Sequence, residues 1–277
     1  MKTTTALLTA AIALFLFSSC KKDLQGKSSE DNTIETLPPV MTALSVNAGS
    51  DCAGYYEALP SRYDSSSKQY PLLLFFHGIG ELGNGGSDLK NLLRTGLPRL
   101  IYQKKFPADF QSGGRHFSFI VISPQFKTWP TNAQVNEVLQ YALQRYRVDR
   151  SRIYATGLSM GGGVTWDFSS EYGAAIAAAA PICGGSWPDN TRAANIASFN
   201  LPVWAFHNED DPTVPVSYSR DYVSKINSHH PAVPARLTTW PTGGHDAWTK
   251  TYDPSYKENG MNVYEWMLQY TRPVQSK

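Results

Sequence analysis

Two uninterrupted apolar runs, YPLLLFF at residues 70–76 and FSFIVISP at residues 117–124, constrain the fold of this chain most tightly. A strand with one face in water alternates apolar and polar side chains. A short run without alternation suits a strand buried on both faces, as in a mostly parallel sheet covered by helices. The segments between and after these runs supply such helices. TNAQVNEVLQYALQRYRV sets Val135, Val138, Leu139, Ala142, Leu143 and Tyr146 at helical spacing, with Thr131 and Gln134 available as a capping box. SRIYATG then reads as a strand and GGGVTWDFSSEY as a helix. AAIAAAAPIC suits helix or strand by composition, and its place before the Gly184-Gly185 turn argues for strand. LPVWAFH and RLTTWP read as strands and VSYSRDYVSKIN as a helix; MNVYEWMLQY closes the chain as a helix with Val263, Trp266, Met267 and Tyr270 on one face. Strand and helix taking turns from about residue 70 onward predict an α/β fold with a mostly parallel central sheet and helices on both faces. A length of 277 residues suits one such domain, and no solenoid repeat is visible.

The first residues belong to a different kind of segment. Met1 and Lys2 give a positive start, ALLTAAIALFLF an apolar stretch of twelve, and SSC a small-residue end at Cys20. Twelve apolar residues fall short of the roughly twenty that a membrane-spanning helix needs. With SCKKD after it, the segment resembles the lipoprotein signals of Bacteroidetes-type bacteria, in which the cysteine becomes the lipidated first residue. Phe17 departs from that pattern, where an aliphatic residue is more usual, and an ordinary cleaved signal peptide is the alternative. The expected organisation is therefore a signal over residues 1–19, a polar tether over 20–47 containing Pro38-Pro39, and a catalytic domain over 48–277. Lipidation at Cys20 would make the chain an exported protein held at the bacterial outer membrane, on its periplasmic or outer face.

Charge narrows the partners. Lysine and arginine number 25 against 23 acidic residues, and loss of Lys2 with the signal leaves 24 against 23. No basic stripe of the kind that grips a phosphate backbone is present, so a nucleic-acid partner is not expected. Beyond Cys20 only Cys52 and Cys183 remain; two free thiols are expected, with a disulfide between them as the alternative in an oxidising compartment.

Ser159 lies between an inferred strand and an inferred helix, in the frame Gly157-Leu158-Ser159-Met160-Gly161. In that context G-x-S-x-G marks a serine held exposed on a sharp turn, its flanking glycines avoiding collision with nearby backbone. The bland alternative is a serine that merely caps a helix. A serine hydroxyl attacks only if a base takes its proton. Of six histidines, His245 in PTGGHDAW follows the last inferred strand in a glycine-rich turn. His77 is better read as structural, His207 ends a strand, and His116, His229 and His230 lie in polar loops. The acid that would orient the imidazole is sought in HNEDDPTVP, where Asp211 leads because its Asp-Pro-x-Val-Pro turn is rigid; Asp210 is the alternative, and Glu209 could be a solvated loop charge. The chain order Ser159, Asp211, His245 is that of the α/β-hydrolase fold. Oxyanion donors are expected from the backbone N–H groups of Met160 and Ile79. Metal-dependent hydrolysis through His207, Asp210, Asp211 and His245 lacks any H-E-x-x-H or paired-cysteine spacing, so no metal and no cofactor are expected.

The stretches YYEALPSRYDSSSKQYPLLLFFHGIGELGNG, RIYATGLSMGGGVTW, LPVWAFHNEDDPTVPVSYS and GGHDAWTKTYDP together resemble α/β-hydrolase esterases of the dienelactone hydrolase and polyhydroxybutyrate-depolymerase-like group. Some members of that group are known as peptidases or phospholipases. The resemblance spans about residues 54–270 and implies a serine carboxylesterase with Ser159, Asp211 and His245 as triad and Ile79 and Met160 as oxyanion donors. Dienelactone hydrolases themselves use a cysteine nucleophile, so serine here implies ordinary ester hydrolysis. By analogy the substrate is an acetyl or feruloyl ester of a carbohydrate, with Glu81, Trp166, Trp187 and Trp248 as candidate contacts that could equally be packing residues. A serine peptidase and a glycan-binding protein on a hydrolase scaffold are the competing readings. The oligomeric state is not legible.

Overall fold

A computed structural model describes Met1 and residues 34–273. The expected signal, Cys20 and most of the expected tether lie outside the described residues. No helix among the described residues is long and apolar enough to cross a membrane.

The apolar run at residues 70–76 forms strand β3, Tyr70–Phe76, every residue of which is buried. Its side chains alternate between two cores. Leu72, Leu74 and Phe76 enter one apolar cluster, Leu73 and Phe75 the other, which is why the run shows no polar alternation. The second run forms β6, Ile120–Phe126, likewise buried throughout. These two strands lie side by side in an eight-stranded sheet with β1 Val40–Leu44, β2 Cys52–Leu59, β7 Val148–Leu158, β8 Ala178–Ile182, β9 Trp204–Asn208 and β10 Arg236–Trp240. The order is β1-β2-β6-β3-β7-β8-β9-β10; the six strands from β6 to β10 run parallel and β1 and β2 are antiparallel at one edge. A small hairpin, β4 Phe110–Ser112 with β5 Arg115–Phe117, stands apart from the sheet.

Helices cover both faces, as an α/β-hydrolase fold requires. On one face lie α2 Asn132–Arg145, α3 Met160–Tyr172, α4 Asn190–Ser198 and α5 Ser217–Ser228. On the other lie α1 Gly96–Tyr102, α6 Trp248–Tyr252 and α7 Val263–Met267, together with the hairpin. The capping box expected for α2 is present, Thr131 Oγ1 accepting from the Gln134 N–H at 3.3 Å and Gln134 Oε1 accepting from the Thr131 N–H at 2.8 Å. The alanine-rich segment is strand β8, wedged between β7 and β9, where alanines let flanking helices approach closely.

Two expectations need correction. The tether does not extend to residue 47: Val40–Leu44 is edge strand β1, in register from Val40 opposite Leu59 to Leu44 opposite Tyr55. Its sequence VMTAL is mostly exposed, so main-chain pairing rather than burial holds it, and such a strand leaves little pattern in the side chains. Glu35, before it, is also buried and accepts a hydrogen bond from Ser61 Oγ at 2.8 Å. Beyond residue 70 strand and helix do not simply alternate either, since the antiparallel hairpin β4–β5 comes between α1 and β6. Cys52 and Cys183 are both free and buried, so the disulfide alternative is excluded in this structure.

His77 ends β3 in the buried interior, where Nε2 accepts the Phe126 N–H at 3.0 Å and the Nδ1–H donates to the Gly78 carbonyl at 2.7 Å. Burial disfavours its charged form and lowers its pKa from 6.5 to about 4. Between these values the unfolded chain binds a proton that the folded chain refuses, so the contribution of His77 to stability is lost as pH falls. The loss begins near pH 6.5, levels off near pH 4 and amounts to about 3 kcal/mol. Urea unfolding followed across that range tests this: His77→Gln should flatten this part of the profile, and an unchanged slope would contradict it.

Candidate active site

The carboxyl ends of β3, β7, β9 and β10 gather on one rim of the sheet, where the strand order reverses around β3. Ser159 sits between the end of β7 and the start of α3 with φ 54° and ψ −115°, in the left-handed region that non-glycine residues avoid. Such a conformation costs on the order of 1–3 kcal/mol and persists because its surroundings over-determine it. Here the Ser159 N–H donates to the Ile182 carbonyl at 3.0 Å, and the Ser159 carbonyl accepts from Gly163 at 3.0 Å and Gly185 at 3.1 Å. The turn aims Oγ outward, 2.7 Å from Nε2 of His245.

His245 is held by the expected aspartate, and the turn that carries it by a second. Its Nδ1 lies 2.7 Å from Oδ2 of Asp211. The side chain of Asp211 is fully buried, and its other oxygen accepts the N–H groups of Thr213 at 2.8 Å and Val214 at 3.0 Å, the Asx-type turn that Pro212 and Pro215 stiffen. These donors satisfy the carboxylate oxygen that faces away from the imidazole. Asp211 also fixes the proton of His245 on Nδ1, leaving Nε2 free to take the serine proton. Asp210, the alternative acid, does not reach the imidazole. It accepts the N–H of Gly244 at 2.8 Å and of Gly243 at 3.3 Å and so holds the turn that carries His245.

The turn after β3 faces Ser159 from the other side. Ile79–Glu81 forms a single 3-10 turn capped by Gly78, at which an added Cβ would lie 3.8 Å from that of Ser159. The N–H groups of Ile79 and Met160 each open a helical turn and therefore have no intrahelical acceptor. The Ile79 side chain itself points into solvent, 65% exposed. The arrangement has the parts that acyl transfer needs: a hydroxyl in hydrogen-bond contact with an imidazole, a carboxylate on the far side of that ring, and two main-chain N–H groups that open the turns flanking the serine.

The other candidate contacts divide. Trp166 is completely buried in α3, stacked on Tyr222 with centroids 4.2 Å apart, and cannot touch substrate. Its place two turns into a helix whose first face lies on the sheet buries it, and Trp166→Ala should cost about 3–5 kcal/mol in a urea titration without altering the KM of the remaining folded enzyme. Glu81 is also buried, accepting from Thr95 Oγ1 at 3.3 Å, and burial pushes its carboxyl upward. Its other carboxylate oxygen lies against Gly78, 2.9 Å from where a Cβ there would stand, so it packs within the turn. Trp187 is exposed, edge-on to Tyr218. Trp248 is half-buried, its ring perpendicular to the His245 imidazole at 5.3 Å.

Two residues of the site, Gln125 and Trp129, are not singled out by the sequence, and a third, His207, is read there only as ending a strand or as a metal ligand. His207, wholly buried, places Nε2 3.2 Å from Oδ2 of Asp211 and 3.0 Å from the Val214 carbonyl, while Nδ1 lies 2.8 Å from Ser219 Oγ. It supports the acid from behind; its only sequence signal is a histidine four residues before Asp211 at a strand end. Gln125, also buried, donates from Nε2 to the carbonyls of Glu81 and Asp88, both at 3.0 Å, and accepts the Gly85 N–H at 2.9 Å, so one amide pins the loop after β3. Trp129, 42% exposed, lies over the start of α3, where it would meet a Cβ added at Gly163.

Among the described residues, the cluster with ligand spacing for a metal is Cys183, Asp211 and His245, whose atoms lie within 4.8 Å of one another. Those atoms are already engaged in the hydrogen-bond chain: Cys183 Sγ donates to the His245 carbonyl at 3.4 Å, and Asp211 Oδ2 meets both imidazoles. Burial pushes both thiols up, Cys52 to about 11, so neither offers a thiolate at neutral pH.

Comparison with known proteins gives a consistent set of similarities. The sequence profile described as the dienelactone hydrolase family matches residues 101–271. The bifunctional acetylxylan esterase/xylanase XynS20E of Neocallimastix patriciarum is 25% identical over 199 residues, covering 71% of this chain and 26% of that protein. This chain thus spans about a quarter of the curated relative it matches. Among solved structures, a thermostable esterase aligns with a TM-score of 0.61 at 26% identity, over 84% of this chain and 63% of that one. A feruloyl esterase module from Clostridium thermocellum, complexed with sinapinate, aligns with a TM-score of 0.56 at 17% identity, over 81% and 89%; at that identity the likeness concerns the fold.

Proposed function

The chain belongs to the dienelactone hydrolase family, and from that premise we propose that it is a serine carboxylic-ester hydrolase acting on acyl or feruloyl esters of carbohydrates. The observation that carries the proposal is the unbroken chain Ser159 Oγ, His245, Asp211, with both contacts at 2.7 Å. In the first half-reaction Ser159 Oγ attacks the ester carbonyl carbon while its proton passes to His245 Nε2. The carbonyl oxygen becomes an oxyanion facing the N–H groups of Ile79 and Met160. Collapse expels the alcohol, which takes the proton from His245 and leaves an acyl group on Ser159. Water, deprotonated by the same imidazole, then releases the acid and restores the serine.

The carbohydrate assignment rests on what the relatives act on, an acetylxylan esterase/xylanase and a feruloyl esterase module, and on exposed Trp129 and Trp187 near the start of α3. Export and lipid attachment at Cys20 are part of the proposal and rest on the sequence of the first residues alone. A fluorophosphonate probe should label Ser159. Hydrolysis of p-nitrophenyl acetate, methyl ferulate and acetylated or feruloylated xylan fragments, set against a chromogenic peptide, identifies the bond cleaved. Peptide cleavage without ester turnover would replace the esterase by a peptidase, and failure to label folded protein would leave a binding protein.

A further inference from the structure

A cleft of about 480 Å³ opens between α1 and α6, whose first residue, Trp248, packs on the His245 ring; its volume is within the size range of a small-ligand site. One wall is Trp248 and Tyr252; the opposite wall carries Arg99, Leu100 and Lys105. The cleft touches the triad through Trp248 and the strand leading to Ser159 at two further points. Trp248 stands edge-on to the His245 imidazole at 5.3 Å, and Tyr252 Oη is 2.9 Å from Thr156 Oγ1, three residues before the nucleophile. The α1 wall begins at Gly96, where an added Cβ would lie 2.7 Å from Leu158 Cδ2.

Its lining carries two cations, Arg99 and Lys105, against one acid, Asp253. Residues 90–105 contain Lys90, Arg94, Arg99, Lys104 and Lys105 and no acidic residue. Among the described residues no carboxylate lies within 4.0 Å of Arg99 or Lys105; the Arg99 guanidinium has only the Arg94 carbonyl, at 3.4 Å. The one acid in the lining, Asp253, turns Oδ1 onto Ser255, accepting its N–H at 2.9 Å and its hydroxyl at 2.8 Å. Two cations without a carboxylate partner therefore face an aromatic wall beside the catalytic imidazole.

The leaving alcohol must collect its proton from His245 Nε2, and Trp248, whose ring meets that imidazole, is the lining residue that joins the cleft to it. We infer that the cleft receives the alcohol portion of the substrate and selects alcohols that bear a carboxylate, that is, esters of acidic sugars. The inference rests on the esterase reading above. An ammonium and a guanidinium left open to a substrate carboxylate add attraction that neutral substrates lack, and because both cations are solvent-accessible that attraction is screened by salt.

The test compares acetylated xylo-oligosaccharides matched except for a uronic-acid side chain. Wild-type enzyme is expected to show kcat/KM about tenfold higher for the acidic member at about 10 mM salt, the ratio shrinking toward unity at about 0.5 M. Arg99→Gln with Lys105→Gln should abolish the ratio, chiefly through KM, with circular dichroism confirming the fold. Lys90→Gln with Lys104→Gln removes the same charge outside the cleft and should leave most of the ratio in place. Equal turnover of both wild-type substrates, or an equal effect of the two double variants, would overturn the cleft assignment while leaving the hydrolase intact. No ester turnover together with no fluorophosphonate labelling would instead overturn the hydrolase reading on which it rests.

Discussion

Ser159→Ala is expected to lower kcat by about four to six orders of magnitude. The residual activity would come from binding and from the main-chain donors at Ile79 and Met160, which the substitution does not remove. Loss of Oγ takes away one hydrogen bond, to His245, and leaves the strained backbone of the turn as it was. Folding should therefore be intact, with a melting temperature close to that of the wild type. Ser159→Gly separates the two properties of this residue. It should be as inactive as alanine yet more stable by about 1 kcal/mol, because glycine adopts a positive φ without a Cβ penalty. Steady-state rates on an activated ester and thermal melts of the three proteins provide the check. A loss of activity below about tenfold for alanine would remove Ser159 from the mechanism, since no single triad member can be dispensed with so cheaply.

Gly161→Ala is expected to destabilise the fold by at least about 4 kcal/mol, beyond what an ordinary surface substitution does. A Cβ at this position would lie 2.7 Å from the His77 carbonyl oxygen and closer still to that of Phe76. Both are backbone atoms at the end of β3, held by pairing to β7, so neither can give way as a flexible side chain would. Nor can α3 retreat, because its first turn is fixed by the hydrogen bonds of Ser159 to Gly163 and Gly185. With total stabilities of about 5–15 kcal/mol for proteins of this kind, the variant should express poorly or unfold at far lower urea. Gly86→Ala is the matched control: nothing lies within 4 Å of the added Cβ, and stability should change by less than about 1 kcal/mol. Equal urea midpoints for the two variants would show that α3 and β3 can separate, and the close approach would lose its role in presenting Ser159.

The residues of the candidate site were legible where local chemistry restricts the choice. A serine on a strand-to-helix turn needs glycines beside it, and Gly157 and Gly161 frame it in the sequence. The two prolines that stiffen its turn point to Asp211, and it is the carboxylate that meets the imidazole. Other parts were illegible because the partner lies far along the chain. Gln125 is one of two polar residues, with Ser123, in an otherwise apolar strand, and only its three hydrogen bonds to a loop some forty residues earlier give it meaning. Trp166, a plausible ring for stacking on sugar, is packed against Tyr222 instead, and nothing in its own neighbourhood of sequence distinguishes a buried tryptophan from one facing a cleft.

By itself, then, the order of residues determined what each segment prefers: buried strands from unbroken apolar runs, α2 from its period and its Thr131–Gln134 cap, a sharp turn at Ser159 from flanking glycines. These preferences are local and follow from steric and solvent properties of neighbouring side chains. Only the tertiary structure decided the order of the strands, the edge pairing of Val40–Leu44, the support of Asp211 by His207 and the opening of a basic cleft beside His245. Those features depend on distances between residues remote in the chain, which are set by how two sheet faces are covered at once.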